Sequence, residues 1–271
     1  MNVTSLPALA ERRRADAAQF DQYQQRGHIL VEQLLTNVEV SAFRPPIGAA
    51  VQRARSIVRP MAERSTYDRA FLQLYNLWET DPVIERFVMA HRMSSLAASL
   101  LGTDHVRLYH DQALFKEPGG GFTPWHQDAL YWPLDGLRCI TMWMPLIDIV
   151  PEMGVMTFAE GSHLDRCLSD RTISDESEED FQQIVDDRGY RQSNPLPMRA
   201  GDATFHSGWT AHRAGPNVTD TMREVMTVIW FADGEEVLEP ANTAQVRDLA
   251  MWLPGCRPGN RAASSINPLL G

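Results

Sequence analysis

The stretch Trp125-His126-Gln127-Asp128 holds the residue types best suited to metal chemistry in this chain. His126 and Asp128 are two positions apart, so on a β-strand both side chains leave the same face. One imidazole and one carboxylate on a common face make half of a site for a borderline divalent ion. We therefore expect the fold to bring a second histidine to this pair.

The chain has eight histidines, and their sequence context separates them. Those in the first 105 residues are interpreted as packing or surface residues, and His163, in a turn, as the partner in a structural hydrogen bond. The role of His206 stays open between a partner of the site and an ordinary strand residue. The candidates in the second half of the chain are His110, His126, His206 and His212.

His212 stands out because a turn and an arginine follow it. The turn Gly215-Pro216-Asn217 separates His212 from Arg223, and these two residues lie symmetrically about a centre between Asn217 and Val218. Opposite residues of an antiparallel hairpin share a face, so Arg223 is predicted to project into the same cavity as His212. A planar guanidinium grips a carboxylate through two hydrogen bonds. The pair predicts an organic acid that chelates the metal at one end and is held by Arg223 at the other.

The second half of the chain resembles the phytanoyl-CoA dioxygenase family of Fe(II)- and 2-oxoglutarate-dependent oxygenases. A lone His-x-Asp is common by chance, whereas an ordered set of motifs over residues 106–232 is specific. The members of this set are His110-Asp111-Gln112 through Lys116 with Pro118-Gly119, His126-x-Asp128, Met153-Gly154, Gly161-Ser162-His163, His206-Ser207-Gly208, His212, and Arg223 eleven residues later.

This resemblance implies a double-stranded β-helix, a jelly-roll or cupin-like barrel, that holds a 2-His-1-carboxylate triad. His126, Asp128 and His212 would occupy three sites on Fe(II) and leave three for 2-oxoglutarate and O2. In the family, oxidative decarboxylation of 2-oxoglutarate gives a ferryl-oxo species that abstracts hydrogen from the substrate. By family position, Arg223 would bind the distal carboxylate of 2-oxoglutarate.

Two residues of the predicted strand 139–145 would complete the cosubstrate site. Period-two alternation puts Thr141 and Trp143 on one face of this strand. Thr141 resembles a hydroxyl position that helps to hold the distal carboxylate in relatives, and Trp143 would form a wall beside the cosubstrate. Packing in the core is the alternative for both.

Two further positions bear on the chemistry. Many relatives place a serine two residues after the distal histidine, where this chain has Ala214, so that hydrogen bond must be absent or replaced. Relatives that halogenate replace the carboxylate ligand with a small residue, whereas this chain retains Asp128. Halogenation is therefore disfavoured.

Substrate recognition leaves a weaker signature in the sequence. His110 and Gln112 alternate onto one face of their strand and are predicted to meet a small-molecule substrate at the barrel mouth. Tyr131, Trp132 and Trp209 flank the metal motifs and are candidates for an aromatic pocket, with surface or packing roles as the alternative. The absence of an extended basic cluster for a CoA phosphate favours a secondary metabolite, such as a polyketide or its sugar, as the substrate. Hydroxylation, cyclisation, desaturation and epimerisation all stay open.

Two other classes of function compete with this prediction. A cupin-like metal-dependent isomerase or hydrolase that does not use 2-oxoglutarate would have no need of Arg223 as a carboxylate clamp. A non-catalytic ligand-binding member of the family would show degraded metal ligands, whereas all three are intact here. An oxidoreductase of the Fe(II)/2-oxoglutarate-dependent dioxygenase class is therefore the predicted function.

An α+β fold, mainly β, is expected to position these residues within a single domain. Helical spacing dominates the first part of the chain and strand-like runs dominate the second, so N-terminal helices are expected to pack on a barrel. The acidic insert in the barrel is interpreted as a solvated surface segment, with a mobile lid as the alternative. The predicted segments of the domain 1–271 are a helical part at 1–105, the barrel at 106–235 with the insert at 165–198, and a loop-like tail at 236–271.

Prolines set the expected helix boundaries. Pro45-Pro46 is predicted to interrupt a helix that opens at Asn37, with an amphipathic helix following over 47–63. Asp81-Pro82 suits a helix start, with aspartate at the N-cap and proline at the first helical position. This helix is predicted to continue to Gly102.

The composition argues against several kinds of partner. The 271-residue chain has a net charge of -10, so nucleic acid and anionic membranes are not expected to bind it. Its three cysteines include no Cys-x-x-Cys pair, which favours a reducing compartment. Neither a secretory signal nor a membrane-spanning run is recognised, so a cytoplasmic location is expected. Monomer and homodimer are both left open.

Overall fold

The computed structural model describes residues 6–55 and 59–271, and there the chain forms helices and two antiparallel β-sheets. The expected α+β class, mainly β, is confirmed. The helices are α1 (Ala17–Arg26), α2 (Asn37–Arg55), α3 (Thr66–Ala70), α4 (Pro82–Val88), α5 (His91–Leu101), α6 (Asp175–Asp187) and α7 (Thr243–Trp252). The strands are β1 (His28–Val31), β2 (Leu72–Tyr75), β3 (Val106–Phe115), β4 (Thr123–His126), β5 (Cys139–Pro145), β6 (Met156–Ala159), β7 (Gln192–Ser193), β8 (Ala203–Ser207), β9 (His212–Ala214), β10 (Val225–Ala232) and β11 (Leu269–Leu270).

The strands divide between a larger and a smaller sheet. The larger sheet has seven strands in the order β1-β8-β5-β10-β3-β11, and β2 also pairs with β3. The smaller sheet has the order β4-β9-β6-β7. Successive strands such as β8, β9 and β10 alternate between the sheets, an arrangement that fits a jelly roll. Residues distant in sequence therefore meet across the space between the two sheets.

The larger sheet separates the main core from a cavity. In β5, Ile140 and Met142 join a core cluster that includes residues of α2, α4 and α5. Thr141 and Trp143 alternate with them and line the cavity instead. The sheet thus uses one face for stability and the other for a site, as period-two alternation requires.

The expected break at Pro45-Pro46 is wrong, because α2 runs through both prolines. Phe43 and Ile47, on either side of them, are fully buried, and the ring of Phe43 packs edge-on against Phe87 at 5.6 Å. This burial offsets the two backbone hydrogen bonds that the prolines remove. The part of the predicted helix at 56–58 lies outside the described residues.

The helix predicted from Pro82 to Gly102 is in fact two helices. Ala90 has an extended backbone with ψ of 125°, which ends α4 and caps α5. Both helices bury apolar faces against the core, and Phe87 and Met93 are fully buried. The apolar positions of α4 continue into those of α5 without a gap in the sequence. The hydrophobic pattern therefore gives no sign of the break at Ala90.

The acidic insert is only partly a solvated segment. It contains α6, whose N-terminus is closed by a capping box formed by Ser174 and Ser177. Phe181 and Val185 on one face of α6 are buried in a cluster with Trp125. The insert therefore packs directly against β4, the strand that ends in His126.

The tail is not simply a loop, because it forms α7 and β11. Asn242 caps α7 by accepting a hydrogen bond from the backbone N–H of Gln245 over 2.9 Å. β11 pairs with the start of β3, where Leu270 lies opposite Val106. None of the helices in the described ranges combines the length and the apolarity that crossing a membrane requires.

Candidate active site

Three side chains with metal-binding donor atoms converge where β4 and β9 pair. His126 ends β4 and lies opposite His212, the first residue of β9. Asp128 begins the short 3-10 turn after β4. The prediction that it shares a strand face with His126 is therefore wrong. One donor atom from each of the three residues lies within 4.8 Å of the other two. The fold therefore brings this predicted triad together through the turn.

Both histidines present the same ring nitrogen to the centre. Nδ1 of His126 lies 2.8 Å from the carbonyl oxygen of Pro124, and Nδ1 of His212 lies 2.9 Å from that of Thr210. A carbonyl oxygen only accepts hydrogen bonds, so each Nδ1 carries a proton and Nε2 is the ring nitrogen left to bind a metal. Such a partner on the second nitrogen orients the ring in metal-binding histidines. The two imidazoles are therefore held with Nε2 turned towards the centre.

The electrostatics of the triad also suit a metal ion. Nε2 of His126 and Nε2 of His212 lie 3.5 and 3.9 Å from Oδ1 of Asp128. Burial lowers the pKa of His212 well below its usual value, and the neighbouring His126 lowers it further. Burial opposes a charge on Asp128, but His212, His126 and His206 together hold its pKa well below the usual range. Two imidazoles and one ionised carboxylate form a donor set that fits Fe(II).

The second carboxylate oxygen of Asp128 has neighbours of its own. The hydroxyl of Thr141 donates to Oδ2 over 3.3 Å, and Nε2 of His206 lies 3.5 Å from the same oxygen. His206 is 1% exposed, and neither of its ring nitrogens has a hydrogen-bond partner among the described residues. Thr141 and His206 lie opposite each other on β5 and β8. Both residues therefore flank the carboxylate of the triad. For His206 this favours the first of the two roles left open by the sequence, whereas the contact between Thr141 and Asp128 was not predicted.

Arg223 lines the same cavity as the triad, but the strand pairing that places it there differs from the predicted hairpin. It is buried, donates a hydrogen bond to the carbonyl oxygen of Gly154, and its guanidinium carbon lies 5.4 Å from the ring centre of Trp143. Burial lowers the pKa of Arg223 to about 9, so the guanidinium is still cationic at neutral pH. The predicted hairpin is wrong, because β9 pairs with β4 and β6 while Arg223 pairs with Lys116.

The loops around Arg223 are tied together by Lys116. Its side-chain nitrogen Nζ donates to the carbonyl oxygens of Gly121 and Gly215 over 2.6 and 2.8 Å. Gly154, the hydrogen-bond acceptor of Arg223, has φ of +78°, and an added Cβ would collide with the carbonyl oxygen of Gly215. A glycine is therefore required at this position. The surroundings of the buried guanidinium are packed closely enough to hold it in one place.

The cavity between the sheets has a volume of about 830 Å³. The larger sheet contributes two rows of side chains that cross its strands in register. One row consists of Tyr75, Gln112, Thr227 and Trp143, from β2 to β5. The other row consists of His110, Ile229, Thr141 and His206, from β3 to β8.

Four of the five residues named as substrate-binding candidates line this cavity. They are His110, Gln112, Tyr131 and Trp132. Trp209 does not line it; the ring packs against the core cluster that contains Ala129, so its predicted role in the pocket is wrong. Trp132 is 4% exposed and also packs in this cluster.

Sequence reasoning missed the outer part of the lining. Gln73 and Tyr75 alternate along β2, a pattern that could have indicated a strand facing a site. The remaining residues lie on α3 and α7, which were not singled out because one is short and the other falls in the segment interpreted as a loop. The missed residues include Tyr67, Gln73, Tyr75, Arg247, Asp248 and Trp252.

Solved structures with a similar fold are known. The non-heme alpha ketoglutarate dependent carbocyclase SnoK from nogalamycin biosynthesis has a TM-score of 0.76 and 24% identity, over 97% of this chain and 100% of that chain. The epimerase SnoN in complex with Fe3+, alpha ketoglutarate and nogalamycin RO has a TM-score of 0.72 and 24% identity, over 94% of this chain and 98% of that chain. At this level of identity the similarity concerns the fold.

A two-histidine, one-carboxylate centre is what the resemblance to Fe(II)- and 2-oxoglutarate-dependent dioxygenases predicted, and the fold brings its three donor side chains together. The profile of the family described as phytanoyl-CoA dioxygenase (PhyH) matches residues 23–225. The chain belongs to this family. A phytanoyl-CoA dioxygenase domain-containing protein 1 from Danio rerio is 27% identical over 173 residues, which are 62% of this chain and 59% of that relative's length.

Proposed function

We propose that this protein uses Fe(II), 2-oxoglutarate and O2 to hydroxylate, cyclise, desaturate or epimerise a small organic substrate. The observation that carries the proposal is one cavity lined by His126, Asp128 and His212 and also by the buried Arg223. A metal site alone serves many reactions. A buried cation facing it suits a cosubstrate with a second carboxylate, which 2-oxoglutarate has.

Each residue of the site has a role in this proposal. His126, Asp128 and His212 would hold Fe(II), which with 2-oxoglutarate and O2 supplies the oxidant for breaking a C–H bond. Arg223 would bind the distal carboxylate of 2-oxoglutarate through its planar guanidinium. Trp143, beside that guanidinium, would exclude water from the ion pair and so strengthen it.

The finer description of the fold belongs to the same proposal. We regard the two sheets as a double-stranded β-helix and residues 1–271 as one domain. The alternation of successive strands between the two sheets supports the first statement. One core cluster that contains both Leu9 and Leu270 supports the second.

A secondary metabolite such as a polyketide or its sugar is the proposed substrate class. Both similar structures named above are described as enzymes of nogalamycin biosynthesis. A net charge of -10 does not favour a polyanionic substrate such as an acyl-CoA. An isomerase or hydrolase that does not use 2-oxoglutarate ranks second, because it would leave the buried Arg223 without a carboxylate to bind.

The proposal is tested by the binding of two ketoacids to the Fe(II)-loaded protein without O2. 2-Oxoglutarate carries the distal carboxylate and 2-oxobutyrate lacks it, while both can chelate a metal. We expect calorimetry to show binding of 2-oxoglutarate that is at least about 30-fold tighter, because a buried charge pair is lost with 2-oxobutyrate. Equal affinities, or no binding of either ketoacid, would contradict the proposal.

A further inference from the structure

A chain of uncharged polar side chains lines the cavity at the edge of the larger sheet. The hydroxyl of Tyr67 lies 3.1 Å from Oε1 of Gln73, whose Nε2 donates to Oε1 of Gln112 over 2.7 Å. Nε2 of Gln112 lies 3.4 Å from Nδ1 of His110. These contacts orient the two amides, so their remaining donors and acceptors are presented to the cavity in fixed positions.

This edge lies far from the residue proposed to bind the cosubstrate. In the row Tyr75, Gln112, Thr227, Trp143, three strand spacings separate the first residue from the last, which is about 14 Å. The guanidinium of Arg223 lies over Trp143 at the far end. The cavity therefore has room for a second molecule on the side of Tyr75.

Aromatic rings form the rim on that side. The rings of Tyr75 and Trp252 lie 5.2 Å apart at 36°, and each also contacts His110, at 5.5 and 4.7 Å. Tyr75 is 42% exposed although it packs against both neighbours. An exposed ring at the mouth of a cavity, held in place by two others, offers a flat apolar surface to a ligand.

The same region carries little net charge. Burial lowers the pKa of His110 to about 3, so its ring is neutral at pH 7, and the phenol of Tyr75 is neutral there as well. Arg247 lies 3.6 Å from the carboxylate of Asp248. Ligands with phosphate or sulfate groups therefore find no unmatched cation at this rim among the described lining residues.

We propose that this rim is the substrate subsite and that it binds a planar, uncharged, oxygen-bearing ring system of the polycyclic phenol or quinone class. Its flat face stacks on Tyr75 and Trp252, and its oxygen atoms bond to Gln73 and Gln112. Stacking explains the exposed tyrosine, and the paired amides explain why oriented polar groups lie beside it. The inference rests on the proposed function, since it names the substrate class of the same cavity.

The size of the cavity agrees with this ligand class. Ligand sites commonly have volumes of about 300–1,000 Å³, and the volume here is about 830 Å³. A five-carbon diacid at Arg223 fills only a part of this space. A ring system of several fused rings, entering past Tyr75, fills the remainder and extends towards the triad.

The test uses 2-(hydroxymethyl)anthraquinone, which is planar and uncharged and has no hydroxyl next to a ketone that would chelate iron. It is titrated without O2 into the Fe(II)- and 2-oxoglutarate-loaded protein, and tryptophan fluorescence reports binding. Methyl glucoside (uncharged but not planar) and hexanoyl-coenzyme A (polyanionic) are titrated in parallel by calorimetry. We expect the anthraquinone to bind at least about tenfold more tightly than either.

Matched variants assign the binding to the rim. Tyr75→Ala is expected to weaken anthraquinone binding by about tenfold, whereas Tyr75→Phe keeps the ring and stays within about twofold of the unchanged protein. Gln112→Leu is expected to weaken it by about fivefold through loss of the amide. Phe122→Ala, which removes a partly exposed ring outside the cavity lining, is the control and is expected to have no effect.

Three results would overturn the inference. They are equal or tighter binding of methyl glucoside or hexanoyl-coenzyme A, unchanged anthraquinone binding by Tyr75→Ala, and no anthraquinone binding at all. Binding of 2-oxoglutarate is measured on the same samples. If 2-oxoglutarate binds and the anthraquinone does not, only the substrate subsite is rejected; if 2-oxoglutarate itself does not bind, the proposed function fails.

Discussion

His212 lies on a strand of the smaller sheet and Arg223 on an isolated bridge beside the larger sheet, and both line one cavity. His212 starts β9, which belongs to the smaller sheet, while Arg223 pairs with Lys116 beside the larger sheet. The turn that separates them in sequence carries the chain from one sheet towards the other. The triad and the buried guanidinium are consequently held by separate parts of the fold, so each can be disturbed without the other.

The first prediction concerns Arg223 and follows from that separation. Arg223→Leu is expected to weaken 2-oxoglutarate binding by about 30-fold or more, because a buried charge pair is lost. Arg223→Lys keeps the charge but not the planar fork and is expected to lie in between. Calorimetry of the metal-loaded proteins measures both, and dialysis against Fe(II) should show an unchanged metal affinity. Unchanged 2-oxoglutarate binding in the leucine variant would remove Arg223 from this role.

Thr141 provides a prediction that separates two roles. Its hydroxyl donates to Asp128, so Thr141→Val is expected to lower the affinity for Fe(II) by about tenfold, as loss of a partner of a metal ligand commonly does. Family resemblance instead assigned the hydroxyl to the distal carboxylate of 2-oxoglutarate. Equilibrium dialysis with Fe(II) and calorimetry with 2-oxoglutarate distinguish the two. A loss confined to 2-oxoglutarate binding would favour the role taken from the family.

Glu178 of α6 connects the two strands that carry the histidines. Its carboxylate accepts a hydrogen bond from the backbone N–H of Trp125, next to His126, over 2.6 Å, and another from Arg213, next to His212, over 2.8 Å. Glu178→Ala is expected to loosen this connection and to lower Fe(II) affinity by about tenfold.

The exposed neighbour of Glu178 on α6 supplies the matched control. Glu179→Ala removes the same charge one position away and should leave Fe(II) affinity unchanged. Equilibrium dialysis with Fe(II) compares the two variants. Equal affinities in both would mean that α6 covers the site without positioning it, as a lid would.

Lys116 gives a prediction about pH. Burial, reinforced by Arg223, lowers its folded pKa to about 6, whereas an unfolded lysine has a pKa near 10.4. Between these values the unfolded chain binds more protons, so this lysine makes stability rise with pH. The free energy of unfolding of the unchanged protein, relative to Lys116→Met, should therefore increase from about pH 6 to pH 9. Urea unfolding at several pH values measures it, and a constant difference would show that the lysine is charged in the folded state.

Much of the site was predictable because its chemistry restricts residue types. A metal site needs donor side chains such as those of His126, Asp128 and His212. The alternation that places Thr141 and Trp143 on the same face is a property of any strand. Their joint spacing was therefore visible in the sequence. The fold class followed in the same way, from helical spacing in the first part and β-branched runs in the second.

The rest depended on contacts between distant segments. α2 continues through Pro45-Pro46 because tertiary burial outweighs a local penalty. The hairpin predicted for His212 and Arg223 is wrong because the two segments pair in different places. The symmetry of the sequence about a turn does not determine which partner each segment pairs with. Tyr75 and Trp252 meet although 177 positions, 252 − 75, separate them.

The central claim is that the triad binds Fe(II) and that 2-oxoglutarate then chelates this iron. It is tested most directly by titrating the metal-free protein without O2, first with Fe(II) and then with 2-oxoglutarate, while following the visible spectrum. We predict a weak charge-transfer band that appears only after 2-oxoglutarate is added and is lost in His126→Ala. The band should persist in His91→Ala, which changes an exposed histidine on α5. Iron binding without the band, or a band that survives His126→Ala, would contradict the account.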